Sequence, residues 1–120
     1  MNDSERLNLA YDILDHYNVR NNIIMNCNLD RDILAFFNFD TGDIELCGDS
    51  RIKDDRTFIL SVLHETKHAI ESQKVGLVNY GLKYERTQRT LQNKNFDSYW
   101  DHEEEIKAEK FAQNEIKNWI

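Results

Sequence analysis

Apolar residues recur along this chain with two periods. Leu7, Ala10, Tyr11 and Leu14 follow helical spacing until about Asn18, and Asp3 or Ser4 offers a capping side chain ahead of them. Three short runs rich in β-branched and aromatic residues come next and predict strands: Ile23-Ile24-Met25, Ile33 to Phe39 and Ile44 to Cys47. Asp40-Thr41-Gly42-Asp43 between the last two is turn chemistry, with Gly42 free to take a positive φ. The expected sheet is small and mostly antiparallel where that hairpin closes. Ile44-Glu45-Leu46-Cys47 leads directly into the next helix, which makes it the candidate edge strand, able to pair with an extended peptide.

The helical period then returns. From Thr57 to Ser72, Phe58, Ile59, Val62, Leu63, Ala69 and Ile70 fall on one broad arc, with Asp54 or Asp55 as cap and Gly76 as approximate limit. Lys74 to Asp97 has weak periodicity and two glycines, Gly76 and Gly81, and reads as part helix and part lid. A last helix runs from about Tyr99 to Trp119, its buried arc marked by Ala108, Ala112, Ile116 and Trp119. The pattern predicts a single α+β domain over residues 1–120: an N-terminal helix, a small sheet and then helices.

The arc opposite the apolar face of the third predicted block holds Thr57, Ser61, His64, Glu65, His68 and Ser72. A solvated helix face usually carries long charged residues, whereas this one is small and open. Within it, His64-Glu65-Thr66-Lys67-His68 matches H-E-x-x-H. Side chains at i and i+4 share a face, so two imidazole nitrogens can reach one zinc ion without distorting the backbone. Glu65, about 100° further round, points past such an ion toward the attacking water, where a general base is needed.

A third ligand follows from the register of the last helix. Glu105 falls inside its buried arc, Glu103 points away, and Glu104 lies at the margin. A carboxylate on a core-facing arc is costly unless paired or bound to metal, so Glu105 is preferred to His102 or Glu104. Two histidines and one glutamate leave a fourth tetrahedral position open, as in catalytic zinc sites. Glu109, one turn beyond Glu105, is placed either to accept the second N–H of His64 or simply to face solvent. Tyr80, Tyr84 and Tyr99 are available as oxyanion donors or as packing groups.

Charge and composition narrow the alternatives. A net charge of −7 argues against direct nucleic-acid binding. The basic stretch Lys74, Lys83, Arg86, Arg89 and Lys94 can meet an acidic partner, though a solvated helix explains it as well. No apolar signal run or membrane span occurs, and the expected compartment is the cytoplasm. Cys27 and Cys47 read as small buried hydrophobes, and the absence of C-x-x-C removes zinc ribbons and nucleobase deaminases.

With His64-Glu65-x-x-His68 followed by Glu105-Ile-Lys-Ala108-Glu109-Lys-Phe111-Ala112, the chain resembles the gluzincin metallopeptidases, most closely the ImmA/IrrE family. The resemblance implies a zincin-like fold whose C-terminal helix carries the third ligand. It also implies zinc on His64, His68 and Glu105, Glu65 as base, and peptide hydrolysis, in many members of helix-turn-helix transcriptional repressors. Glu109 stands where that family usually has Asn or Asp, and the stretch from His68 to Glu105 is long. The expected function is a small cytoplasmic zinc-dependent endopeptidase acting on a protein or peptide substrate. The alternatives are a non-catalytic or latent zinc-containing interaction domain and a minimal free-standing gluzincin with another protein substrate.

Overall fold

The computed structural model describes residues 1–26, 29, 33–47, 52 and 54–120. Cys27 lies outside them.

Helix α1 spans Asp3–His16 and is capped by Asn2, one residue ahead of the expected caps. Asn2 Oδ1 accepts from Glu5 N at 2.8 Å while Asn2 N donates to Glu5 Oε1 at 3.3 Å, a reciprocal capping box. Its buried face is Arg6, Ala10, Ile13 and Leu14. Tyr11, expected inside, sits at the surface, where its hydroxyl accepts from Ile23 N at 3.1 Å and ties the helix to the first strand.

Strands β1 (Ile23–Met25), β2 (Ala35–Phe37) and β3 (Ile44–Leu46) form one sheet in the order β1-β3-β2. This corrects two expectations. The sheet is mixed, with β2 antiparallel to β3 but β1 parallel to it, so only the hairpin pairing is antiparallel. Strand β3 is the centre and not an edge; its Ile44 and Leu46 are fully buried, whereas β1 and β2 each leave an apolar side chain exposed, Ile24 and Phe36. The turn between β2 and β3 is as read, with Gly42 at φ +79° and its N–H donating to Asn38 O at 2.7 Å.

Helix α2 (Asp55–Val75) runs through the middle and packs against α1, the sheet and both later helices. Asp54 caps it, accepting from Thr57 N at 2.8 Å. Phe58, Ile59, Val62, Leu63 and Ala69 are buried as its apolar arc requires, and Ile70 is half-buried. With Ile13, Leu14, Ile44, Leu46 and Ala112 they form the core.

Gly76 ends α2 and begins α3 (Leu77–Asn93), an uninterrupted helix where a partial lid was expected. Most of α3 is exposed, and Tyr80 alone among its described residues is buried. Helix α4 (Glu103–Glu115) continues into a 3₁₀ turn, Ile116–Asn118, and buries Ala108, Ala112 and Ile116. Trp119 packs at the margin of the core, edge-on to His16, which closes the C-terminal end of α1. No helix among the described residues is long and apolar enough to cross a membrane.

Candidate metal centre

His64 and His68 leave α2 one turn apart on the face opposite its core arc, and α4 packs across that face. Both imidazoles reach one atom. His64 Nε2 lies 2.9 Å and His68 Nε2 2.6 Å from Glu105 Oε1. Ligand atoms of His64, Glu65 and His68 all lie within 4.8 Å of one another, so this group could hold a metal ion. The donor chemistry, two imidazoles and an adjoining carboxylate, suits zinc. Donors around a tetrahedral zinc with bonds of about 2.0 Å stand about 3.3 Å apart, so the two imidazole–carboxylate contacts would each lengthen by less than about 1 Å to admit the ion.

Glu105 is 7% exposed and accepts on both oxygens, the second from the Tyr84 hydroxyl. Burial pushes its carboxyl up, but hydrogen bonds from His64, His68 and Tyr84 hold it well below the usual carboxylate range. His64 shows the reverse balance. Burial lowers its imidazole, yet the bond to Glu105 and the charges of Glu65 and Glu105 outweigh this and raise it to about 9. Its Nδ1 also meets Glu109 Oε2 at 3.2 Å, the contact that the helical register allowed. The Tyr99 hydroxyl lies 3.4 Å from His64 Nε2 at the mouth of the site.

Glu65 is enclosed without being satisfied. Its Oε2 is buried and has no hydrogen-bond partner among the described residues, and burial raises its carboxyl above the ordinary range. An orphaned carboxylate oxygen beside two imidazoles is costly in an empty core and is explained where an ion or a reacting proton comes to it.

One register assignment on α4 changes. Glu104 is not marginal: it is 2% exposed, and its carboxylate accepts from Lys83 and Lys107 at 3.2 and 3.3 Å. Glu103 is exposed, as expected. His102 is turned away from the cluster. It caps α4, with Nδ1 accepting from Glu104 N at 3.1 Å and Nε2 donating to Tyr84 O at 3.0 Å, and its ring stacks on Tyr84 at 3.9 Å. Ser72, placed on the open arc, is buried with its hydroxyl on Ala69 O at 3.0 Å and does not line the cleft.

Sequence reading left the tyrosines unassigned. Tyr80 and Tyr84 face the histidines from α3: the Tyr80 hydroxyl is 2.8 Å from His68 Nδ1, and Tyr84 holds Glu105. Their one-turn spacing repeats that of His64 and His68, which is the signal that could have found them.

The cluster opens into a cleft of about 830 Å³. One wall is β2 and its flanks, including Phe36, Phe37 and Phe39; the other is α3 and the Tyr99-Trp100 turn, with Glu85 and Glu109 as acidic groups. Cys47 N donates to Leu34 O and Asn38 N to Asp43 O, each at 2.9 Å, and Phe36 pairs with Glu45. In that antiparallel register the backbone groups of Ala35 and Phe37 point away from β3, toward the open edge. Among the described residues β2 is thus one of the two edge strands of the sheet, and its outer side borders the cleft.

No protein-family model, no curated protein and no solved structure matches this chain.

Proposed function

We propose that the chain is a zinc-dependent endopeptidase. The observation that carries this is the meeting of His64, His68 and Glu105 on one point, beside Glu65, whose Oε2 has no partner among the described residues, in a cleft of about 830 Å³. Those three side chains would hold the zinc, which when bound would polarise a carbonyl and acidify a water molecule.

The rest falls to the protein. An extended peptide lies along the open edge of β2, exchanging backbone hydrogen bonds with Ala35 and Phe37 while its side chains meet the aromatic wall. Glu65 takes the proton of the attacking water and returns it to the leaving amine; a carboxyl raised by burial is suited to both transfers. Tyr84 and Glu109 fix the faces that Glu105 and His64 present. A helix-turn-helix transcriptional repressor is the substrate that the ImmA/IrrE resemblance suggests.

The test is a parallel measurement of zinc content and proteolysis on the parent and Glu65→Gln. One zinc per chain, with cleavage by the parent and none by the variant, supports the proposal. Zinc without cleavage of any peptide or candidate repressor would instead support a non-catalytic zinc-containing interaction domain.

A further inference from the structure

Behind His68 lies a chain of polar groups that the hydrolytic reading does not use. The Tyr80 hydroxyl is 2.8 Å from His68 Nδ1 and donates to Glu104 Oε2 at 3.4 Å. Glu104 in turn receives the ammonium groups of Lys83 and Lys107. His68, Tyr80 and Glu104 are each at most 2% exposed, and they come from three helices, α2, α3 and α4. A buried carboxylate is expensive to enclose, and here it stands between two lysines and the hydroxyl that meets His68.

We propose that Tyr80 and Glu104 are positioning residues for the metal site: when an ion takes the Nε2 lone pair of His68, they receive the proton that the ring then carries on Nδ1. The reasoning is directional. When Nε2 gives its lone pair, the imidazole proton sits on Nδ1 and needs an acceptor, and the Tyr80 oxygen is the atom in reach. Tyr80 accepts without losing its own donor role only if its hydrogen goes elsewhere, and Glu104 provides that acceptor. Negative charge on Glu104 thus reaches His68 through the hydroxyl, polarising the ligand and strengthening its bond to a cation. Lys83 and Lys107 lie 3.2 and 3.3 Å from the other carboxylate oxygen of Glu104 and fix that side chain in its enclosure. His64 has the direct version of this support in Glu109, so the two histidines are backed by different devices, one at the surface and one in the core.

This inference rests on the metal-site reading, and the experiment separates the two. Zinc affinity is measured by chelator competition for the parent, Tyr80→Phe, Glu104→Gln, the double variant and His68→Ala, with the thermal midpoint of each metal-free protein. Tyr80→Phe keeps the ring that packs near Phe37 and Phe39, so the fold should survive. Its zinc affinity should fall about tenfold to a hundredfold. Glu104→Gln should cost less, and the double variant no more than Tyr80→Phe alone, because the carboxylate acts through the hydroxyl. In the cobalt(II)-loaded protein, the exchangeable Nδ1–H resonance of His68 should be protected in the parent and exchange rapidly in Tyr80→Phe. Parent-like affinity in Tyr80→Phe while His68→Ala loses zinc would overturn the positioning role alone. So would a full Glu104→Gln effect persisting in the Tyr80→Phe background. Parent-like zinc binding by His68→Ala would bring down the metal site itself and this inference with it.

Discussion

Raising the pH from 7 to 9 should tighten zinc binding substantially, and His64 sets the amount. Its imidazole is raised to about 9 because both nitrogens donate to carboxylates, Nε2 to Glu105 and Nδ1 to Glu109. Zinc needs the Nε2 lone pair, so it must displace that proton. With a pKa of about 9, about one molecule in a hundred has the imidazole free at pH 7 and about half at pH 9, so apparent affinity should rise roughly 50-fold, about 2.3 kcal/mol. Calorimetry near pH 7.5 in buffers of different ionisation enthalpy should find close to one proton released per zinc. The metal-free protein should respond in the opposite sense. A folded value near 9 above the unfolded 6.5 means stability fully present below about 6.5 and lost as pH rises through 9. That loss has an upper bound of about 3 kcal/mol. At the acid end Glu105, depressed below its ordinary 4.5, gives stability that is present above that value and lost as pH falls. Both describe the same ion pair and do not add. Zinc affinity constant within about threefold from pH 7 to 9, after correction for chelator protonation, would refute the account, as would zinc binding without proton release.

Glu65→Gln should keep zinc and fold while cleavage falls below detection, because the amide keeps the shape and cannot take a proton; equal cleavage by the variant removes Glu65 as base. Glu105→Ala should lower zinc affinity markedly and Glu103→Ala not at all, while Glu104→Ala, on a side chain enclosed with Lys83 and Lys107, should destabilise the fold by about 1–3 kcal/mol; denaturant melts and metal titration resolve the three. Ala35→Pro removes an N–H from the open edge of β2 and should raise KM for peptides without changing zinc content; an unchanged KM would mean that the peptide does not pair there. His102→Ala strips the cap of α4 and the stacking partner of Tyr84, and should cost about 1 kcal/mol in stability; complete loss of zinc would return His102 to the ligand set.

Helical features were legible in the sequence because one turn fixes neighbours by geometry alone. The i, i+4 pair His64 and His68, the buried side of α4 at Glu105 and the contact from Glu109 to His64 all follow from a period of 3.6. Errors of a fraction of a turn explain Glu104: it sits one residue from Glu105, and a margin becomes an interior once α3 packs beside it and brings Lys83 and Tyr80. The sheet was less legible. A tight turn pairs sequence neighbours, which gave β2 with β3, but nothing local says on which side β1 docks, and its parallel seat on β3 put β3 at the centre and left β1 and β2 at the edges. Tyr84 and His102 were obscure for the same reason, since their ring stack and the grip on Glu105 join α3 to α4 across residues distant in sequence.

Gly76 closes α2 and opens α3 with no intervening loop, at φ 90° and ψ 145°, a combination that side chains rarely tolerate. One backbone torsion therefore acts as the fulcrum of a long lever. Tyr84 is eight residues along that arm, about 12 Å at 1.5 Å per residue, so a tilt of roughly 10° at the fulcrum carries its hydroxyl about 2 Å, enough to break a hydrogen bond. A substitution such as Gly76→Ala puts its Cβ 3.9 Å from Asn79 Nδ2, an ordinary contact, so its cost lies in the backbone at that φ. Its effect should be transmitted mechanically, slackening the grip of two tyrosines on the cluster while leaving every donor atom in place.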